Sequence, residues 1–418
     1  MRKILIVGAG HAGLHLAHGL LTHGYDVTVI TGQSSLEIRT GRPSISQFTF
    51  PTALEYERRL DLDFWSALSP QIREQKMFIF KRGRPPVSLK GRSHHGNGYS
   101  VSVDRRVKMA DWLESFEDRG GKVVIHGVTV TDLDYFSRMF DLIIVAVGHG
   151  ELGQLFAHDS SRFSGARPRS LAQAYVYDLW PDPDGTENIG WEGVTEEAGN
   201  ILLIPILTQE GPAHNMLLVD KKGGPMDAWP DRPGPEEQLR RMKDLMRKYA
   251  PNFFERCKDA VLVDGRSTII EELTPQVRNP VGVLPSGGKA LGMADVVVTM
   301  DPFVGQSWNN STRCAEAYLE SIIEHGEKVF DEEFMTKAFD RFWEFGQDNQ
   351  MWSEFASTMV EQELPEHLMN VLAAASEYQE IADRWVQGWD CPSDYKSWLF
   401  DPEMARQYVA AIMRADAG

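Results

Sequence analysis

The first thirty residues carry two hydrophobic periods in turn. "KILIVGAG" is an unbroken apolar run closing on glycines, the pattern of a strand buried on both faces. "HAGLHLAHGLLTHG" spaces its apolar residues as a helix does and stops at Gly24, and "DVTVIT" returns to a strand. Strand, glycine turn, helix and strand make the first unit of a parallel sheet. The pattern then becomes irregular through "GRPSISQFTFPTALEYERRLDL", and "MFIFKRGRPPVSLKG" predicts a hairpin turning near Gly83 to Pro86. A helix and strand follow in "VDRRVKMADWLESFEDRGGKVVIHG", and "DLIIVAVG" is a second fully apolar strand ending at Gly148. From about residue 170 to 225, runs such as "NILLIPILTQEG" and "HNMLLVDKK" succeed one another without helices between them, which predicts an antiparallel sheet. "PGPEEQLRRMKDLMRKY" places Leu239, Met242, Leu245, Met246 and Tyr249 on one helix face. "LGMADVVVTMDPFVGQSWNNSTRCAEAYLESIIEHG" reads as short strand, loop and helix, and from 331 onward the chain is helical and rich in Trp and Phe. There the spacing of Met335, Phe339 and Phe342 predicts a helix face packed on the second domain.

These elements predict an α/β fold: a Rossmann-like dinucleotide-binding domain, an interleaved antiparallel-sheet substrate domain, and a helical C-terminal region. The expected boundaries are 1–44, 100–150 and 275–330 for the first, 45–99 and 151–274 for the second, and 331–418 for the third. Composition narrows the partners. A formal net charge of −17 repels nucleic acid and anionic membranes, which leaves small neutral or aromatic ligands. The N-terminal apolar run is broken by Gly8, Gly10 and His11, so it is expected to be neither a signal peptide nor a membrane span. Cys257, Cys314 and Cys391 are widely spaced with no CxxC, which argues against a disulfide framework or a zinc site, and a cytoplasmic location follows as an expectation.

Gly8, Gly10 and Gly13 allow a tight turn, the close approach of a pyrophosphate to a helix N-terminus, and packing of helix on strand. A second glycine set, Gly148, Gly150 and Gly153, also follows a strand. No helix and acid-tipped strand come after it, so it reads as a turn closing over the first dinucleotide. Where the second strand ends, an acidic ribose ligand is expected and Thr31 stands instead. Either the ligand is gripped less tightly, or another group such as Arg42 or Glu37 holds the adenosine. Further on, Asp295 sits where it can accept hydrogen bonds from ribityl hydroxyls. Pro302, Gly305 and Gln306 form a loop whose amides open a helix toward an electron-rich ring, an arrangement suited to a reduced, anionic flavin. His11 and His149 adjoin glycine turns and read as turn residues rather than acid or base catalysts.

"GAGHAG", "VDRR", "DLIIVAVG", "GMAD" and "DPFVGQ", in this order, resemble the flavoprotein hydroxylase fold. Together with the tail "SEYQEIADRW", nearly the whole chain resembles the styrene and indole monooxygenases, two-component FAD-dependent epoxidases. The resemblance implies FAD as cofactor, delivered reduced by a separate NADH-dependent flavin reductase, and it leaves a homodimer open. It assigns Pro302, Gly305, Gln306 and Asn309 to the flavin and Arg106 to the FAD diphosphate, the alternative for Arg106 being an ion pair with Asp104 or Asp111. It also implies a substrate pocket from Ile45, Gln47, Thr49, Met77 and Ser100. Gln47 matches the indole-type pattern, Ser100 the styrene-type, and the other three match neither well. A single-component NAD(P)H-dependent hydroxylase, or a non-catalytic ligand-binding protein on this fold, are the competing readings.

Overall fold

The computed structural model describes residues 2–45, 48–148, 150–163, 165–196 and 198–416, with residue 358 described by its backbone alone. Two sheets organise the chain. In the first, the strands run in the order Val281–Val283, Lys289–Gly292, Leu142–Val145, Lys3–Val7, Asp26–Thr31, Lys122–Ile125. All neighbours are parallel except the first pair, a short hairpin. Ile4 to Val7 and Leu142 to Val145 are buried on both sides, the reason these strands lack any alternation of apolar and polar residues. Helices His11–Thr22 and Ser307–His325 pack together beside this sheet, and helix Arg105–Asp118 lies against the first of them.

The second sheet takes strands Val261–Leu262, Arg169–Tyr177, Gly211–Lys221, Gly199–Thr208, Gly190–Thr195, Glu74–Phe80 and Val87–Arg92 in that order, with Thr268–Leu273 also paired to Arg169–Tyr177. The expected hairpin is present, with Glu74 opposite Arg92 and Ile79 opposite Val87. The sheet is antiparallel except that Glu74–Phe80 runs parallel to Gly190–Thr195, two strands separated by the long excursion through the nucleotide-binding sheet. Side-chain alternation gives it two buried faces. Ile201, Leu203, Met216 and Leu218 pack with Leu239, Met242 and Met246 of helix Pro235–Tyr249 on one side. Met77, Ile79, Leu89 and Ile204 pack with Trp352, Leu372, Trp385 and Trp398 of the C-terminal helices on the other.

One expectation is corrected. Met335, Phe339 and Phe342 lie in the core of the nucleotide-binding sheet, among Phe330, Leu319 and Ile322, and not against the second sheet. Helix Glu332–Glu361 is thirty residues long, about eight turns, so its first half covers helix Ser307–His325 while its second half, with Trp352, Ala356 and Met359, reaches the other core. Its apolar spacing alone cannot say which core each half meets.

Candidate functional site

At the C-terminal ends of the parallel strands, where open α/β sheets bind ligands, lies a groove of about 530 Å³. Its wall is built from distant parts of the chain: Gly8 and Gly10 of the first turn, Thr31 and Gln33 after the second strand, Arg42 and Ile45, Arg105 and Arg106 at a helix start, Gly148, Asp295, and Pro302, Gly305 and Trp308. The glycine turn is tight for a stated reason. A Cβ on Gly8, whose φ is +118°, would lie 2.5 Å from the carbonyl oxygen of Ala146, and one on Gly13 would lie 2.2 Å from that of Gly8. Gly13 therefore seats the helix on the strand without lining the groove. Gly10 caps helix His11–Thr22 with no side-chain hydrogen bond, so the first-turn amides are left for a ligand.

The electrostatics single out a residue that the sequence reading passed over. Arg106 lines the groove, but its Nε and Nη2 donate to Asp104 at 2.9 and 2.7 Å, and Nη1 lies 3.5 Å from Asp264. The pairing with Asp104 is thus realised, and it is buried. The adjacent Arg105 has no ion pair among the described residues, its Nη2 is within 3.6 Å of where a Gly10 Cβ would be, and burial lowers its pKa against the opposing pull of Asp295 and Glu271. "VDRR" offered both arginines at the start of one helix. Only the positions of Asp104 and Asp264 distinguish them. Of the two groups weighed against Thr31, Arg42 lines the groove, whereas Glu37 closes a capping box with Ser34, whose hydrogen bonds hold its carboxylate below the usual range. Thr31 itself lines the groove, its hydroxyl 3.3 Å from the backbone of Gln33.

Pro302–Val304 forms a single 3-10 turn, Gly305 follows in the left-handed region at φ +61°, and helix Ser307–His325 starts without a side-chain cap. Asp301 sits behind this loop, accepting from the Phe303 amide and from Arg169. Gln306 and Asn309 do not line the groove. Gln306 donates to the Trp389 carbonyl at 2.6 Å, and Asn309 holds both the amide of Phe50 and the carbonyl of Phe48. They tether the loop to the C-terminal helices and to strand Phe48–Thr49. His11, at the groove floor, donates to or accepts from Thr312 at 2.7 Å, and its ring centre lies 3.8 Å from that of Trp308 at a tilt of 53°. Burial and the charge of Lys108 hold its pKa well below the usual value, so it is neutral. Beneath it Lys108 and Glu57 form a buried ion pair at 2.6 Å, enclosed by Trp65, Trp112 and Trp308. His149 lies outside the described residues. The second glycine set leads only into the five-residue 3-10 turn Glu151–Leu155, as expected of a turn and not of a second nucleotide site.

A second, small cavity of about 40 Å³ meets the groove at Gly305 and Leu217. Its walls are Phe48, Phe50, Trp352 and Trp389, with Gln75, Ser102, Glu192 and Asn215 among them. Of the residues expected in a substrate pocket, Ile45 lines the groove and Gln47 lies outside the described residues. Thr49, Met77 and Ser100 are buried next to this cavity but not in its wall. Thr49 alternates with Phe48 and Phe50 and so faces away from them, while Met77 and Ser100 are each two residues along the strand from the lining Gln75 and Ser102. Glu192, Gln75 and Asn215 were missed because they come from three strands that only the sheet brings together. Burial pushes the Glu192 carboxyl up to about 7, with the hydrogen bond from Asn200 acting in the opposite direction.

Fold and groove define a flavoprotein. The chain superposes on a flavoprotein/dehydrogenase from Cytophaga hutchinsonii with a TM-score of 0.67, covering 99% of this chain and all of that one at 14% identity. With the flavin-dependent halogenase CmlS the TM-score is 0.65 at 14% identity, over 95% of this chain and 77% of that one. In sequence, the family described as "Styrene monooxygenase A putative substrate binding domain" matches residues 148–256. Styrene monooxygenase StyA of Pseudomonas fluorescens is 25% identical over 414 residues, 97% of each chain. Over nearly its whole length the chain is similar to the styrene monooxygenases, which supports a flavin-dependent monooxygenase. Its cofactor is FAD, and the groove fits that group: an uncapped glycine turn at one helix start, an arginine beside it with no ion pair among the described residues, and a wall that includes both Thr31 and Gly305.

Proposed function

We propose that this chain is the oxygenase component of a two-component system, accepting reduced FAD from an NADH-dependent flavin reductase and epoxidising an aromatic alkene such as indole or styrene, with thioethers as further substrates. The observation that carries the reading is the junction at Gly305, where the long polar groove opens onto a small aromatic cavity. Reduced FAD, when bound, supplies two electrons that let one atom of O2 go to the substrate and the other to water. The chain's own residues then have three tasks. The first-turn amides after Gly10 and the Arg105 guanidinium bind the diphosphate, while Arg42 and Thr31 hold the adenosine end and Asp295 the ribityl chain. The uncapped start of helix Ser307–His325 favours negative charge on the ring. Phe48, Phe50, Trp352 and Trp389 exclude water and orient a flat substrate, a task that asks for packing more than for an acid or base.

The test is to mix the protein with anaerobically reduced FAD, then with ¹⁸O₂ and indole or styrene, and to look for one labelled oxygen in the product. Absence of label from every aromatic alkene and thioether tried would overturn the proposal. Turnover with oxidised FAD and NADH and no reductase would instead support the single-component reading.

A further inference from the structure

Four buried polar atoms around the small cavity have no hydrogen-bond partner among the described residues: Gln75 Nε2, Ser102 Oγ, Asn215 Oδ1 and Trp352 Nε1. Their residues are all at least nine-tenths buried, and buried polar groups of this kind are costly unless something pairs with them. Strand register explains how they converge. Gln75 is opposite Gly190, Glu192 opposite Leu202, Leu202 opposite Leu217, and Ile204 opposite Asn215, so one face of four strands carries Gln75, Glu192 and Asn215, while Ser102 comes from strand Val101–Ser102 and Trp352 from helix Glu332–Glu361. Gly190 keeps the centre open, since a Cβ there would sit 3.2 Å from Gln75 Oε1 and 3.4 Å from Ile204 Cδ1. Glu192 also lines the cavity. One of its oxygens accepts from Asn200 Nδ2 at 2.8 Å, and the same Nδ2 lies 3.0 Å from the carbonyl oxygen of Phe303 in the loop before Gly305.

We infer that this cavity selects an aromatic substrate bearing a ring N–H, which Glu192 accepts, with Asn215 a further acceptor on the same wall, in preference to a bare aryl hydrocarbon of the same shape. The inference rests on the function proposed above and deepens it. The aromatic walls take any flat ring, so they do not discriminate. The polar wall does: a hydrocarbon covers Gln75, Ser102 and Asn215 without pairing any of them, whereas an N–H finds two acceptors. Glu192 is thereby a specificity-determining residue. The cavity must widen to admit any ring, and an N–H ligand is the one whose hydrogen bonds offset that cost.

Calorimetric titration of the purified chain, with and without oxidised FAD, compares indole with 1-benzothiophene, which has the same outline and no N–H. The wild type binds indole at least about tenfold more tightly. Glu192→Met brings the ratio close to one by weakening indole alone, and Glu192→Gln, whose amide oxygen still accepts, keeps most of the preference. Equal affinities in the wild type, or an undiminished preference in Glu192→Met, overturn the inference. Should Glu192→Met not fold, the wild-type ratio and Glu192→Gln decide. The two readings separate cleanly. Oxygenation of both compounds at equal affinity removes the selectivity and leaves the monooxygenase. A tenfold preference with no oxygenation of either keeps the selectivity and removes the monooxygenase.

Discussion

Replacing Glu192 by Gln stabilises the native state at neutral and alkaline pH, and the gain appears in a defined window. Burial lifts this carboxyl from an ordinary 4.5 to about 7. Below about pH 4.5 the group is protonated in both native and unfolded chains, and Glu and Gln are close equivalents. Between about 4.5 and 7 the unfolded chain ionises while the native state keeps its proton, so the wild type loses up to about 1.4 kcal/mol per pH unit. Above about 7 both are ionised and the loss levels off. Tyr395 feels the Glu192 charge, and its own pKa is raised well above the usual value by burial first and by that charge next, so it stays neutral throughout. The full shift corresponds to about 3 kcal/mol, and about 2 kcal/mol remains once water entering the cavity screens the charge. For a chain of 418 residues that is roughly 2–3 °C in Tm. Melting and urea titrations of both proteins from pH 4.5 to 8.5 read it directly. A constant offset across that range, or a variant less stable than wild type at pH 8, would refute the reasoning.

Arg105→Ala weakens FAD binding by about 1.5–3 kcal/mol, seen by fluorescence titration, with little change in Tm; Arg106→Ala instead lowers Tm, because Asp104 is left buried and unpaired. Gly305→Val destabilises the loop by about 1–2 kcal/mol and abolishes oxygenation, whereas Gly305→Asn, which tolerates φ +61°, retains most of the stability; equal Tm and activity in both variants would place the flavin elsewhere. Glu57→Gln costs about 3–5 kcal/mol in urea titration by stranding the Lys108 ammonium, and adding Lys108→Met recovers most of it. Reduced FAD binds more tightly than oxidised FAD when titrated anaerobically and in air, and equal affinities would remove the role given to the start of helix Ser307–His325.

Much of the nucleotide-binding half was legible because its signals are local. An apolar run, a glycine turn and a helical period lie within thirty residues, and Gly8 and Gly10 then line the groove as their spacing implies. Gly305 was legible for the same reason, a loop whose left-handed residue favours glycine. Where the reading went astray, the deciding contact was distant in sequence. Arg105 and Arg106 differ only in which one meets Asp104 and Asp264. Gln306 and Asn309 look like ligand-facing amides until Trp389, Phe48 and Phe50 are seen to use them. Thr49 was named where Phe48 and Phe50 matter, because one step along a strand reverses the face. The polar wall of Gln75, Glu192 and Asn215 has no motif at all. It exists only once four strands are in register.

The helix Glu332–Glu361 works as a splint. Met335 and Phe342 seat one end in the core beneath the nucleotide groove, Trp352 and Met359 seat the other in the core beside the small cavity, and Glu361 joins Asp301 on Arg169 just behind the Pro302–Gly305 loop. One continuous helix therefore ties the core under the groove to the core beside the cavity.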